Sequence, residues 1–129
     1  MAVFILLNLA GLWRFYADGR GHYYDALKFM VANSPEEEIL IGSDHDFRNK
    51  MTVIFYAAYF DKRRIAYIDT HKRKTAQPGW MIVHSLDLDY KPQESIYDSG
   101  NRYDLKKSYG YAGVSGWSWF IYRKAPASP

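Results

Sequence analysis

Three short apolar runs in this chain end in the same kind of polar cluster. Ile39-Leu40-Ile41-Gly42 leads into Ser43-Asp44-His45-Asp46, Ile65-Ala66-Tyr67-Ile68 into Asp69-Thr70-His71, and Trp80-Met81-Ile82-Val83 into His84-Ser85-Leu86-Asp87. Imidazoles beside carboxylates pass protons near neutral pH or hold a divalent cation. If the runs are parallel strands about 4.8 Å apart, Asp44, His45, Asp46, His71, His84 and Asp87 share one rim. Open α/β sheets gather ligands at that rim, the carboxyl ends of the strands. A helix expected from Asp46 adds free N–H groups and a partial positive charge there. That favours an anion, a phosphate or a sugar carboxylate, with His45 and Arg48 as its contacts, over a tightly held metal. The competing reading is local: Ser43, Asp44 or Asp46 also suits a helix cap, and Asp69 and Asp87 suit turn starts.

Two further features could bind something. Lys62-Arg63-Arg64 and His71-Lys72-Arg73-Lys74 flank the second run. They read as solvated loops, or as contacts to anionic lipid headgroups or a lipid-linked phosphate. Nucleic acid is not expected, because aromatics do not interleave with these runs as a stacking platform requires and the net charge is only +3. Trp117 and Trp119 alternate onto one face of an expected strand beside the glycine-rich stretch 110–116. Exposed, they form a platform for a sugar ring; buried, they are core. The chain lacks a P-loop, G-x-G-x-x-G, H-E-x-x-H and G-x-S-x-G, which disfavours the common nucleotide-binding, zincin and hydrolase domains. It has no cysteine, so thiolate nucleophiles, zinc–thiolate sites and iron–sulfur clusters are excluded. No catalytic residue, cofactor or metal site is assigned.

The elements that must position these residues follow from periodicity. Tyr23, Ala26, Leu27 and Met30 fall at i, i+3, i+4 and i+7, and Asn33-Ser34-Pro35 ends that helix. A second helix is expected from Asp46 to Phe60, with Phe47, Met51, Ile54, Phe55 and Ala58 on its apolar stripe. Strands are expected at 39–42, 65–68 and 80–83, then at 95–97, 102–109 and 117–123, separated by turn signals at 98–101 and 110–116. At 129 residues this makes one domain. The expected fold class is α/β: a small mixed sheet with helices packed on it and an antiparallel carboxyl-terminal extension.

The amino terminus stands apart. Met1 to Trp13 carries no charge, is too short to span a bilayer, and lacks the flanks of a secretory signal. Residues 1–16 therefore read either as a buried core helix or as the end of a transmembrane helix whose aromatic and basic belt is Trp13-Arg14-Phe15-Tyr16. Residues 17–129 form the domain itself.

The order G-R-G-H-Y-Y-D-A (19–26), I-G-S-D-H-D-F-R-N (41–49), F-Y-A-A-Y (55–59), W-M-I-V-H-S (80–85), G-N-R-Y (100–103) and Y-A-G-V-S-G-W-S-W (111–119) resembles the carboxyl-terminal water-exposed domain of bacterial membrane-embedded glycosyltransferases of the GT-C type. These are the protein-mannosyltransferase and lipid-A aminoarabinose-transferase kind. The resemblance implies a polyprenyl-linked sugar donor, and catalytic carboxylates in membrane loops that have no counterpart in this chain. It implies a non-catalytic positioning or recognition domain that faces the periplasm at the bacterial inner membrane. Its expected partners are the membrane region of the parent protein or a lipid surface, together with a lipid-linked sugar. The alternatives from other classes are a stand-alone metal-dependent enzyme using the His/Asp rim and a structural homodimerisation domain.

Overall fold

The computed structural model describes residues 21–60 and 64–126, together with positions 9, 12 and 13. The expected amino-terminal helix over 1–16 lies outside the described residues, apart from Leu9, Leu12 and Trp13, which are helical and exposed. Among the described residues no helix is long and apolar enough to cross a membrane.

The first helix, α1 (Tyr23–Ala32), buries all four residues of its predicted stripe, Tyr23, Ala26, Leu27 and Met30. Its end is tied off by Ser34, whose hydroxyl donates to the Met30 carbonyl at 2.7 Å and accepts the Trp80 indole N–H at 2.8 Å. Strand β1 (Glu38–Ser43), helix α2 (Asp46–Ala57) and strands β2 (Arg64–Tyr67) and β3 (Trp80–Ser85) follow. A single 3-10 turn, Thr70–Lys72, interrupts the loop between β2 and β3. The antiparallel part consists of β4 (Ser95–Asp98), β5 (Asn101–Ala112) and β6 (Trp117–Lys124).

These strands make one six-stranded sheet in the order β2-β1-β3-β6-β5-β4. β1 runs parallel to β2 and β3, while β3–β6, β6–β5 and β5–β4 pair antiparallel. The protein is thus a small mixed α/β fold with an antiparallel extension, as its sequence leads one to expect. Ser99 and Gly100 both take positive φ, +48° and +80°, between the paired residues Asp98 and Asn101. That is the backbone twist a two-residue hairpin needs.

Each face of the sheet carries its own core. Helices α1 and α2 cover one, where Leu27, Met30, Ile39, Ile41, Trp80 and Ile82 pack with Val53, Trp119 and Ile121. Met81, Tyr103, Phe120 and Tyr122 fill the other. There the Tyr90 ring packs at a tilt against Phe120 at 5.3 Å and the Tyr122 hydroxyl donates to the Gln93 carbonyl, so the segment before β4 lies across that face.

Helix α2 departs from its expected orientation. Its apolar stripe forms at the expected spacing but points away from the core: Phe47 is 87% exposed, Met51 68% and Phe55 59%, and Ile54 and Ala58 are exposed too. The side it buries is Asn49 and Val53, with Tyr56 and Ala57 partly covered. On the inner side the Asn49 amide donates to the Asp44 carboxylate at 3.2 Å, which offsets part of the cost of burying a polar group, while its Oδ1 is buried without a hydrogen bond.

Candidate functional site

The rim at the carboxyl ends of the parallel strands exists, and its centre lies between β1 and β3. The chain leaves β1 toward β2 on one side and leaves β3 toward β4 on the other, so the two connections diverge and open a crevice between these neighbours. Asp44 follows the last residue of β1, and His84 is the penultimate residue of β3.

Across this crevice Asp44 and His84 form a dyad. The His84 ring Nδ1 lies 2.9 Å from both carboxylate oxygens of Asp44, and the His84 backbone N–H donates to the same group at 3.1 Å. An ionised carboxylate only accepts, so Nδ1 carries the proton and the lone pair of the neutral ring resides on Nε2. Arg48 Nη1 stands 3.4 Å from that Nε2, and its guanidinium lies over the Trp117 ring at 5.6 Å. No carboxylate pairs with Arg48 among the described residues. The His45 ring meets His84 edge-on at 5.7 Å and is otherwise exposed.

The amino end of α2 opens onto the same cluster. His45 is its N-cap residue, and it makes no side-chain capping bond. The capping reading of Ser43-Asp44-His45-Asp46 therefore does not hold. Asp44 is committed to His84 and Asn49, and Ser43 and Asp46 are committed to a second network. Arg48, which has no carboxylate partner among the described residues, and the amino end of α2 add positive charge beside the Asp44–His84 pair, a setting suited to an anion.

Asp46 belongs to the second network, which is structural. Its carboxylate accepts the Tyr67 hydroxyl at 2.8 Å and the Thr70 backbone N–H at 2.9 Å, and Arg73 stands at 3.5 Å. Burial alone would raise the Asp46 pKa, but these hydrogen bonds and the Arg73 charge outweigh it and hold the group below its ordinary value. Tyr67 spends its one proton on Asp46, so the Ser43 hydroxyl, 2.6 Å away, donates to the Tyr67 oxygen. Tyr67→Phe removes a hydroxyl with two partners and is expected to cost about 1–2 kcal/mol in urea unfolding. A change within a few tenths would show that the bridge contributes nothing.

The remaining rim residues do not join the dyad. His71 is exposed in the 3-10 turn, and Asp87 starts a turn by accepting the Asp89 N–H at 2.9 Å. Asp69 is paired with Lys50 at 2.8 Å. Of the proposed sugar platform, Trp119 is core: it is 2% exposed and packs against Tyr23, so its face is closed to a ligand. Trp117 is only partly buried and stands beside Arg48 and His84. Among the described residues no group of three or more His, Asp or Glu side chains converges as a metal site requires.

Asn49, Tyr67 and Arg73 order the rim, and none of the three was among the expected site residues. Arg73, one cation in a basic run expected to be solvated, is 3% exposed. It donates to the Ser43 carbonyl, to Thr70 Oγ1 at 2.9 Å and to Asp98 at 3.0 Å. The one available signal for Asn49 was its place opposite the exposed stripe.

From Trp117 an open groove of about 1000 Å³ runs away from the dyad between α2 and the β5–β6 turn. Met51, Phe55, Tyr56, Tyr23, Val114 and Trp117 line it. A polar corner thus gives onto an apolar trough, with the Arg48–Trp117 stack at the boundary. No protein-family model, curated protein or solved structure matches this chain.

Proposed function

We propose that this is a non-catalytic, extracytoplasmic recognition domain of a polyprenyl-phosphate-sugar-dependent glycosyltransferase, working beside the membrane region of a bacterial inner-membrane protein. The observation that carries the reading is Arg48. It is a cation without a carboxylate partner, stacked on Trp117 where a polar rim meets an apolar groove. A ligand matched to both sides has an anionic head and a hydrocarbon tail, which is the chemistry of a lipid-linked phosphate. His45 and the first N–H groups of α2 supply further donors to the head, and His84 Nε2 can accept from a protonated phosphate or a sugar hydroxyl. The motif resemblance over 19–119 supplies the glycosyltransferase context.

Amide NMR titration with inorganic phosphate and with farnesyl phosphate tests the reading. Phosphate is expected to shift residues 45–48 and 84. Farnesyl phosphate is expected to shift these and also Met51, Phe55, Val114 and Trp117. Arg48→Ala should weaken farnesyl phosphate binding about tenfold, the loss of one charge-assisted contact. Shifts confined to residues outside 43–48 and 84 would remove the site.

A further inference from the structure

The stripe that α2 turns outward is apolar and lies outside both cores. Phe47, Met51, Ile54 and Phe55 occur at i, i+4, i+7 and i+8, and all four are exposed. Met51 and Phe55 also wall the groove, so stripe and groove form one continuous apolar surface. An apolar patch of this kind on a small domain marks a surface that meets another apolar phase.

Three observations indicate which phase. Basic residues lie close to both ends of the stripe in the sequence. Lys62-Arg63-Arg64 begins five residues after α2 ends, and Lys72 and Lys74 belong to the loop tied to the first turn of α2 by the Thr70–Asp46 bond. Neither Lys72 nor Lys74 is ion-paired among the described residues. The run 1–13 is uncharged, and its Leu9, Leu12 and Trp13 are exposed. A second copy docked stripe to stripe would leave Lys72 and Lys74 without a counter-charge. An anionic lipid surface satisfies both the apolar face and the cations.

We propose that the outward face of α2 (Phe47, Met51, Ile54 and Phe55) lies in the headgroup layer of an anionic bilayer, with the groove opening at that surface. The assignment needs only that the domain rests on a membrane. It does not need the rim to take a lipid-linked phosphate. Orientation follows from it: the Arg48–His84 corner is held at headgroup depth, where phosphate groups reside.

The chain has no cysteine, so single cysteines placed in the full chain carry a nitroxide without background. The positions are Met51→Cys and Phe55→Cys on the stripe, with Tyr97→Cys on the exposed edge strand β4 as reference. With vesicles of equal parts phosphatidylethanolamine and phosphatidylglycerol, the labels at 51 and 55 are expected to gain collisions with oxygen and lose collisions with a water-soluble nickel chelate. The label at 97 is expected to remain water-exposed. The fraction bound should fall in phosphatidylcholine vesicles and in high salt. Phe47→Ser combined with Ile54→Ser should lower partitioning by roughly tenfold or more. Labels at 51 and 55 that remain water-like on vesicle-bound protein would overturn the proposal, since residues 1–13 would then anchor the chain alone. So would spin–spin broadening between copies without lipid, or no vesicle binding at all. Loss of the phosphate titration at 45–48 with these label shifts intact would sink only the lipid-linked phosphate reading.

Discussion

Replacing Arg73 with methionine is expected to destabilise the protein by about 3–5 kcal/mol, the range for removing one partner of a buried ion pair. Methionine keeps most of the apolar volume, so the loss reports the guanidinium rather than a cavity. That group holds four parts of the chain together: the Ser43 carbonyl at the end of β1, Asp46 at the start of α2, Thr70 in the 3-10 turn and Asp98 at the β4–β5 turn. Without it the Ser43 carbonyl loses its donor. Asp98 loses the counter-charge it has among the described residues, and its Oδ2 is already without a hydrogen bond. Asp46 and Asp98 retain some exposure, which places the cost nearer the lower end of that range. The melting midpoint should drop by roughly 10 °C or more, and the urea midpoint should move without a change in slope. Arg73→Lys should recover only part of the loss, because an ammonium cannot present the planar fork that reaches several acceptors. A loss under about 1 kcal/mol for Arg73→Met would show that the four contacts do not act as a clamp.

This residue also shows where sequence reading stops. The run His71-Lys72-Arg73-Lys74 presents four similar side chains, and nothing local distinguishes the one that is buried. The distinction comes from acceptors up to 30 residues away in sequence, which only the finished fold collects. The dyad was legible for the opposite reason. Asp44 lies one residue beyond its apolar run and His84 follows its own directly, so placing those runs side by side as parallel strands is enough to bring them together. The same argument failed for His71 and Asp87, because a turn carries each away from the strand end. For α2 the period was right and the direction wrong. Periodicity fixes which residues share a face, whereas the choice of face depends on neighbours. Asn49 goes inward, where Asp44 receives its amide. Trp117 and Trp119 share a strand face, yet one is core and the other borders the groove, since α1 reaches only part of the way along β6.

The aromatic richness has a consequence in alkali. Among the described residues five tyrosines have hydroxyls whose ionisation the fold opposes, chiefly through burial: Tyr23, Tyr67, Tyr103, Tyr109 and Tyr122. Tyr103 and Tyr122 are each pushed up to about 12 from an ordinary 10.0, first by loss of water and then by the charge of Asp98 on Tyr103 and by Tyr90 on Tyr122. A phenol whose folded value lies above its unfolded one stabilises the fold fully below pH 10. Above that the unfolded chain releases the proton first, and the contribution is lost as pH climbs toward 12. Two pKa steps correspond to roughly 2–3 kcal/mol for each of these two groups, a large share of the stability of a domain this size. Urea unfolding is therefore expected to give a plateau up to about pH 10 and a steep decline above it. Tyrosinate absorbance should rise in two parts, the second coincident with loss of near-ultraviolet circular dichroism. Tyr103→Phe with Tyr122→Phe separates burial from general charge repulsion. The double variant loses the bonds to Pro78 and Gln93, at about 1 kcal/mol each near neutrality, yet its stability should fall less steeply above pH 10. A decline as steep as that of the unsubstituted protein would assign the alkaline transition to groups other than these two phenols.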